Sequence, residues 1–262
     1  MNIIKKIFLL AAAAIIAAVI LYPLAFTFVN SFFIRNANEI YFSFDNYAET
    51  LADKSPFYRS FINSAVYSVV ITGAGTIIAC LGAYSFAFFE FKMKKLLFAV
   101  IILIMLTPIQ VTLIPNFIVF DKLGLLDTPF SIILAGSFSA FGIFLLKQYM
   151  ENFDKAIIEA AQIDGAGRLK ILTHIVAPFS INGITALVIL LFSESWSMVE
   201  QPVMFLSDKD LMPLSIYIRQ VYLASQSKIF APSILALIPI IIIFALFKTQ
   251  LSEALSTYNF TA

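Results

Sequence analysis

The sequence has little charge and almost none of the residues that build redox or metal centres. Only 13% of the 262 residues are charged, whereas soluble domains carry about 25%. The net charge is +1, so there is no basic excess to neutralise the phosphates of a nucleic acid. One cysteine, Cys80, cannot form an intrachain disulfide, and the one histidine, His174, has no neighbouring His or Cys to complete a metal site. We therefore expect no bound metal and no nucleic-acid partner.

Motifs for chemistry are also missing. The chain has no G-x-x-x-x-G-K-[ST], so it does not bind ATP through a P-loop. It has no H-E-x-x-H or G-x-S-x-G, which leaves an intramembrane hydrolase without support. The apolar runs carry no alternating ladder of charged residues of the kind often found in proton-coupled carriers. We expect no catalytic residue and no cofactor bound by this chain.

Apolar residues are abundant instead, at 61% of the chain with 28 phenylalanines. A helix needs about 20 apolar residues to cross a bilayer. The first apolar run could also be a secretory signal, but it is longer than the usual signal core of about 7–15 residues. We predict an all-α polytopic membrane protein with one transmembrane domain over residues 1–262. Its six predicted spans are about 7–29, 61–89, 96–120, 130–146, 181–206 and 229–247.

Basic residues close to the ends of spans predict the orientation. Lys5 and Lys6 directly precede the first span, and Lys92, Lys94 and Lys95 crowd the short loop between the second and third spans. We therefore predict that both termini lie in the cytoplasm. The loop between the fourth and fifth spans then lies there too.

That loop, about residues 150–178, is polar and rich in strong helix formers. Gly165 follows Asp164, and glycine is the usual residue for the left-handed conformation that ends a helix. After it, apolar residues recur at helical spacing until Pro178. The pattern predicts a helix, a sharp turn and a second helix. The hairpin could lie flat at the membrane interface, or it could be a docking element for a cytoplasmic partner.

The same loop resembles the EAA motif of binding-protein-dependent ABC importer permeases. Glu159-Ala160-Ala161, then Asp164-Gly165-Ala166, then Ile175 and Pro178 match the motif. Further similarity to carbohydrate permeases of the maltose and glycerol-phosphate type lies in residues 43–51, 106–115, 123–128, 212–214 and 231–247. The family's Gly is absent after Met212-Pro213-Leu214, and Ser197 follows Trp196 where the family often has Asn.

The resemblance implies a type I ABC importer permease fold in a bacterial plasma membrane. It implies that the hairpin is the coupling helix, so that Glu159, Ala160, Ala161, Asp164, Gly165, Ala166 and Arg168 contact an ATPase subunit. It also implies partners: a second permease, usually a different chain, two cytoplasmic ATPase subunits that bind ATP and Mg, an extracytoplasmic substrate-binding protein, and membrane lipid. Carbohydrate is the expected solute. Alternatives are an ABC permease for a non-sugar solute or a secondary carrier.

Polar residues within apolar runs are the candidates for the substrate path, because a charged group near the bilayer centre costs roughly 2.5–3.5 kcal/mol unless it faces protein or water. Glu194 could line the path or hydrogen-bond to a neighbouring helix. Trp196 and Glu200, four residues apart, are predicted to share a helix face that could meet a sugar, whereas burial or a place in an interfacial aromatic belt is the commoner fate of a single Trp. The remaining candidates, each with a purely structural alternative, are Gln201, Asn63 and Gln110, which lies between Pro108 and Pro115 in an irregular third span.

Overall fold

The computed structural model describes residues 3–35, 40–52 and 56–257, and this part of the chain is mostly helical. The all-α prediction is confirmed, with one short antiparallel pair of strands, β1 (Phe33–Arg35) and β2 (Ile40–Phe42), in which Phe33 opposes Phe42. The α-helices, in chain order, are α1 (Ile3–Asn30), α2 (Asp45–Leu51), α3 (Pro56–Phe88), α4 (Lys94–Leu106), α5 (Ile109–Lys122), α6 (Pro129–Gly136), α7 (Ala140–Glu151), α8 (Lys155–Ile163), α9 (Arg168–Ile171), α10 (Ala177–Phe179), α11 (Ile181–Trp196), α12 (Glu200–Phe205), α13 (Leu214–Ala224) and α14 (Phe230–Thr257).

Four stretches are long and apolar enough to cross a membrane as single helical segments: Lys5–Asn30, Pro56–Phe88, Pro129–Glu151 and Ser227–Gln250. Two further spans appear only if each of two bent helix pairs counts as one, which gives up to six. The predicted number of spans is therefore reached only with two broken helices among the described residues.

The first broken span corrects the prediction of one helix over 96–120. α4 ends at Leu106, α5 begins at Ile109, and the pair bends by 104°. Proline disfavours helical geometry in the residue before it, and Thr107, just before Pro108, is extended at φ −78° and ψ 123°. Pro115, in contrast, lies inside an unbroken α5. The predicted irregularity is confirmed, and Pro108 alone produces the break.

The second broken span corrects the prediction of one helix over 181–206. The segment Arg168–Phe179, with a π-helical turn at Leu172–Val176, precedes α11 and bends from it by 84°. At its other end α11 stops at Trp196, and α12 is a separate short helix. The fourth span also differs, since it continues past the predicted end at 146 to Glu151.

Contacts divide the chain into two compact units. The first unit contains Met1–Phe61 and Tyr217–Pro239, and polar anchors hold its described part together. The Asn46 amide donates to the carbonyls of Ser31 and Phe33, each at 3.2 Å, and the Ser31 and Tyr47 hydroxyls are 2.7 Å apart. These bonds fasten α2 to the end of α1 and to β1.

The second unit contains Ile62–Ile216 and Ile240–Ala262, and it holds two apolar clusters among its described residues. One cluster surrounds the earlier part of α3 that carries Tyr67 and Ile71, and it includes Phe120 and Phe205. The other surrounds the later part of α3 from Ala79 onward. In that cluster α7 meets α11 at Gly183, where a Cβ would lie only 2.6 Å from the Tyr149 ring. The close approach of the two helices at this point therefore requires glycine.

Candidate functional site

A cavity of about 470 Å³ opens in the second unit where α11 ends and α12 begins. Glu194, Glu200 and Gln201 line it, as predicted candidates for the substrate path. Ser195 and Ser197 add hydroxyl groups. Glu194 and Ser195 come from α11, and Glu200 and Gln201 come from α12, so two separate helices contribute polar side chains to the same space.

The wall of this cavity is otherwise apolar, and its only charged groups among the residues that the structure describes are the two carboxylates. No Lys, Arg or His of the described chain lines it. Pockets for small molecules are typically apolar with a few polar groups that fix orientation, and this cavity has that composition. The apolar contributors include Ile71, Ile109, Phe138, Leu191 and Met198.

Trp196 does not line the cavity. Its side chain is only 4% exposed and stacks on Phe192 at a centroid distance of 5.7 Å. The prediction that Trp196 and Glu200 share a helix face is wrong, because α11 ends at Trp196 and Glu200 begins another helix. The alternative of a buried tryptophan describes the structure.

Gln110 and Asn63 also lie outside the lining of the cavity. Gln110 is exposed on α5, although the preceding Ile109 reaches the cavity. The Asn63 amide donates to the carbonyl of Asp210 at 2.8 Å and of Met212 at 3.2 Å. Asn63 therefore anchors the connection between α12 and α13, which is a structural role.

The same connection has anchors that the sequence analysis missed. The Ser64 hydroxyl accepts from the backbone of Leu214 at 2.7 Å, and the Tyr67 hydroxyl donates to the carbonyl of Leu211 at 3.0 Å. One carboxylate oxygen of Asp127 accepts from the backbone N–H groups of Ser207 and Asp208, both at 2.8 Å. The pKa of the Asp127 carboxyl is lowered by the hydrogen bonds from Asp208 and Ser207. Residues 206–214 are thus anchored by hydrogen bonds to α3 on one side and to Asp127, between α5 and α6, on the other.

The predicted hairpin is present as α8, a turn and α9. The Asp154 carboxylate caps α8 by accepting from the backbone of Ala156 at 2.9 Å. At the other end Gly165 takes a positive φ of 81°. Its N–H donates to the carbonyl of Gln162 and that of Ala166 to Ala161, at 3.0 and 2.9 Å. This is the Schellman pattern that closes a helix, so the prediction of a glycine turn is confirmed.

The hairpin divides its side chains between a packed face and a free face. Ile158 is 5% exposed, and Ala161 and Ala166 pack beside it against the apolar cluster around late α3. The Arg168 guanidinium lies 4.7 Å from the centre of the Phe89 ring. The free face carries exposed predicted contacts and exposed apolar side chains, namely Glu159, Ala160, Asp164, Ile157, Ile163 and Leu169.

A family model settles what kind of protein carries this arrangement. Residues 71–256 match the model described as "Binding-protein-dependent transport system inner membrane component". The chain belongs to this family. The match runs from within α3 to the end of α14, so it covers the cavity, the anchors at Asp127 and the hairpin. This inner membrane component is therefore a multi-pass membrane protein and a transport subunit.

Relatives of this inner membrane component are named as permeases. The chain is 27% identical over 217 residues to the arabinooligosaccharides transport system permease protein AraQ of Bacillus subtilis (strain 168), covering 82% of this chain and 77% of that protein. It is 29% identical over 201 residues to the sn-glycerol-3-phosphate transport system permease protein UgpE of Yersinia pestis bv. Antiqua (strain Antiqua), covering 75% and 72%.

A solved structure shows the same fold. A chain of a bacterial ABC transporter involved in the import of the acidic polysaccharide alginate superposes with a TM-score of 0.81. The likeness covers 95% of this chain and 98% of that one, at 23% sequence identity. The predicted type I importer permease fold is confirmed for this inner membrane component.

Proposed function

We propose that this chain is the permease subunit of an ATP-driven importer for a carbohydrate, and that it forms half of the translocation path. The family and the named relatives, which include an arabinooligosaccharide permease, support this function. A cavity with a few polar groups on an apolar wall suits a sugar, whose hydroxyls seek hydrogen bonds and whose C–H surface packs on apolar side chains.

The hairpin carries the proposal that ATP drives this transport. It is inserted between the span that ends at Glu151 and the broken span that begins at Arg168. Both ends of α8 are closed by hydrogen bonds, and its inner face packs on α3. A rigid element of this kind passes a partner's movement to the membrane helices, whereas a loose loop absorbs it. We assign its free face to an ATPase subunit.

The remaining subunits follow from the same proposal. A second permease completes the path, two cytoplasmic ATPase subunits bind ATP and Mg, and an extracytoplasmic binding protein delivers the solute. The chain lies in the bacterial plasma membrane with both termini in the cytoplasm. ATP binding closes the ATPase pair, and the hairpin moves with it.

Gly165 gives the sharpest test of coupling. Val is strongly disfavoured at the φ of +81°, so Gly165→Val deforms the turn. We expect this variant to reach the membrane but to co-purify with little ATPase and to lose ATP-driven uptake. Gly124→Val is the matched control, because Gly124 also has a positive φ of 66° and open surroundings but lies outside the hairpin. Full ATPase retention and uptake in Gly165→Val would refute the docking role.

The charge of the cavity restricts the solute. Its described lining places Glu194 and Glu200 in the path without a compensating Lys, Arg or His. Two carboxylates in a partly enclosed space repel an anion. We therefore assign this subunit a neutral or cationic sugar, in contrast to the phosphate and the acidic polysaccharide named for two of its relatives. A thermal-shift screen of the cognate binding protein against neutral, anionic and amino sugars tests the assignment.

A further inference from the structure

A second cavity of about 470 Å³ lies in the second unit, where three membrane-spanning segments end or begin. It is enclosed by the end of α3, the short turn that follows, the start of α4 and the end of α7. Three lysines line it, Lys94, Lys95 and Lys147, together with the rings of Phe86, Phe91 and Phe98. Since helices pass from bilayer to water at such ends, the cavity lies at the boundary of the membrane.

The polar side of this cavity carries an excess of positive charge. Lys94 pairs with Glu90 at 3.1 Å and Lys147 with Glu151 at 2.7 Å, each four residues away along the chain. Lys95 is exposed and forms no salt bridge with any residue that the structure describes. The Glu90 side chain is 87% exposed, and ion pairs with exposed partners contribute little to stability, so a stronger anion can replace Glu90 beside Lys94.

The start of α4 adds to this excess. Its first turn contains two lysines and no acidic residue, and no side chain caps it. The N-terminus of a helix is a centre of partial positive charge, which acidic groups normally offset. Here the lysines reinforce that charge, so the lysine-lined cavity favours an anion more than its side chains alone indicate.

Apolar side chains lie both in the cavity and on the exposed surface of α4. The Lys147 ammonium group lies 4.4 Å from the centre of the Phe98 ring, so aromatic and basic groups meet within the cavity. Beyond it, Leu97, Val100 and Ile104 share a face at helical spacing and are 46%, 42% and 44% exposed. A ligand with an anionic head and apolar tails matches both parts, whereas a soluble anion uses only the first.

We propose that this cavity binds the headgroup phosphate of an anionic membrane phospholipid. Lys94 and Lys95 donate to the phosphate, the phenylalanine rings contact the glycerol and upper chains, and the acyl chains follow the exposed face of α4. Basic pockets between the ends of membrane helices bind such headgroups in general. The proposal does not depend on the solute or on the coupling role of the hairpin.

Native mass spectrometry of the full chain, purified with its partner subunits, tests the site. The complex is incubated with phosphatidylglycerol or with phosphatidylcholine of the same acyl chains, and retained lipid is counted. We expect phosphatidylglycerol to be preferred, and Lys95→Gln to weaken its retention about fivefold, with a similar further loss in Lys94→Gln/Lys95→Gln. The Lys95 side chain forms no salt bridge with the described residues, so the thermal unfolding of Lys95→Gln should match that of the unmodified chain.

The matched control is Lys92→Gln, which removes the same charge from the same turn but at a position outside the cavity lining. It should retain phosphatidylglycerol like the unmodified chain. Equal retention of the two lipids, or equal loss in Lys92→Gln and Lys95→Gln, would overturn the proposal. Displacement of phosphatidylglycerol by millimolar inorganic phosphate would overturn it too, since the site would then take a soluble anion.

Discussion

Asp127 gives the structure a pH-dependent contact. Its φ of 57° is unusual for a residue other than glycine, and it directs the carboxylate to two backbone N–H groups at 207 and 208. Those bonds lower the carboxyl pKa in the folded protein. A carboxyl with a lowered folded pKa contributes stability above its unfolded pKa of about 3.9, and this contribution is lost as the pH falls through the folded value.

Asp127→Asn should therefore unfold at a lower temperature than the unmodified chain at neutral pH. Asn tolerates the positive φ, so the variant tests the charge and leaves the backbone in place. We expect the difference in unfolding temperature to shrink as the pH is lowered past about 4. Thermal unfolding of the detergent-solubilised complex measures it, with Asp121→Asn, at an exposed position on α5, as the control. A difference that persists unchanged in acid would contradict this account.

The charge that the carboxylates give the first cavity can be measured from the rates at which a cysteine there reacts with charged reagents. Cys80 is the only cysteine, so Cys80→Ser gives a background in which Gln201→Cys places one thiol in the cavity. The nearby carboxylates attract cations, so we expect a cationic methanethiosulfonate to react severalfold faster than an anionic one of similar size. Glu194→Gln and Glu200→Gln should each reduce the ratio of the cationic to the anionic reaction rate.

Gln110→Cys in the same background is the control for that measurement. Gln110 is exposed but does not line the cavity, so its ratio should be insensitive to both glutamate substitutions. If the ratio at position 201 is also insensitive, the two carboxylates do not set the charge of the cavity.

At the scale of single residues, the sequence predicts the chemical character of a site better than the position of each side chain. Glu194 was predicted to face protein or water because charge within an apolar run is costly, and it lines the first cavity together with Glu200 and Gln201. The shared face of Trp196 and Glu200 was wrong because α11 ends at Trp196, and the next three residues contain no Gly or Pro that would signal this end. Asp127 was missed because its partners lie some eighty residues away along the chain.

At the scale of helices, the contact between α7 and α11 is limited by one missing side chain. A methyl group at Gly183 would meet the Tyr149 ring at 2.6 Å, so Gly183→Ala forces the two helices apart. We expect a loss of stability of about 1–3 kcal/mol, measured as a lower unfolding temperature. Gly73→Ala on α3 has open space at the same point, and it should be neutral or slightly stabilising. Equal stability of the two variants would show that the contact is dispensable.

Helix boundaries were predictable only where local chemistry fixes them. Gly165 and Asp154 define the hairpin, because a left-handed glycine and a capping carboxylate act within a few residues. Pro108 indicated an irregular span, but no pattern in the sequence gives the size of the bend, 104°. The helix after Gly165 was predicted to end at Pro178, but its 84° bend from α11 was not predicted.

At the scale of the whole molecule, much of the apolar surface requires an environment outside this chain. In the span Lys5–Asn30 none of the most apolar stretch is buried by the chain, and α4 has no buried residue. In the assembly proposed above, lipid and a second permease cover these surfaces. The lysines that gave the predicted orientation flank the same helices.

A reporter fused after Ala262 tests the orientation. With the C-terminus in the cytoplasm, a fused green fluorescent protein should fluoresce in intact cells, and a fused alkaline phosphatase should be inactive. A second phosphatase fusion inserted after Leu123, in the connection between α5 and α6, should show activity, because that connection is predicted to lie outside. The reverse pattern would move the hairpin to the wrong side for any cytoplasmic ATPase.

The anchored connection between α12 and α13 should exchange its backbone amide protons slowly. The amides of Ser207, Asp208 and Leu214 donate to the side chains of Asp127 and Ser64, although this stretch has little regular helix. In hydrogen–deuterium exchange those amides should be protected to a degree normally found inside helices. These amides would then exchange only when α3 unfolds cooperatively, although the sequence of the segment predicts a surface loop.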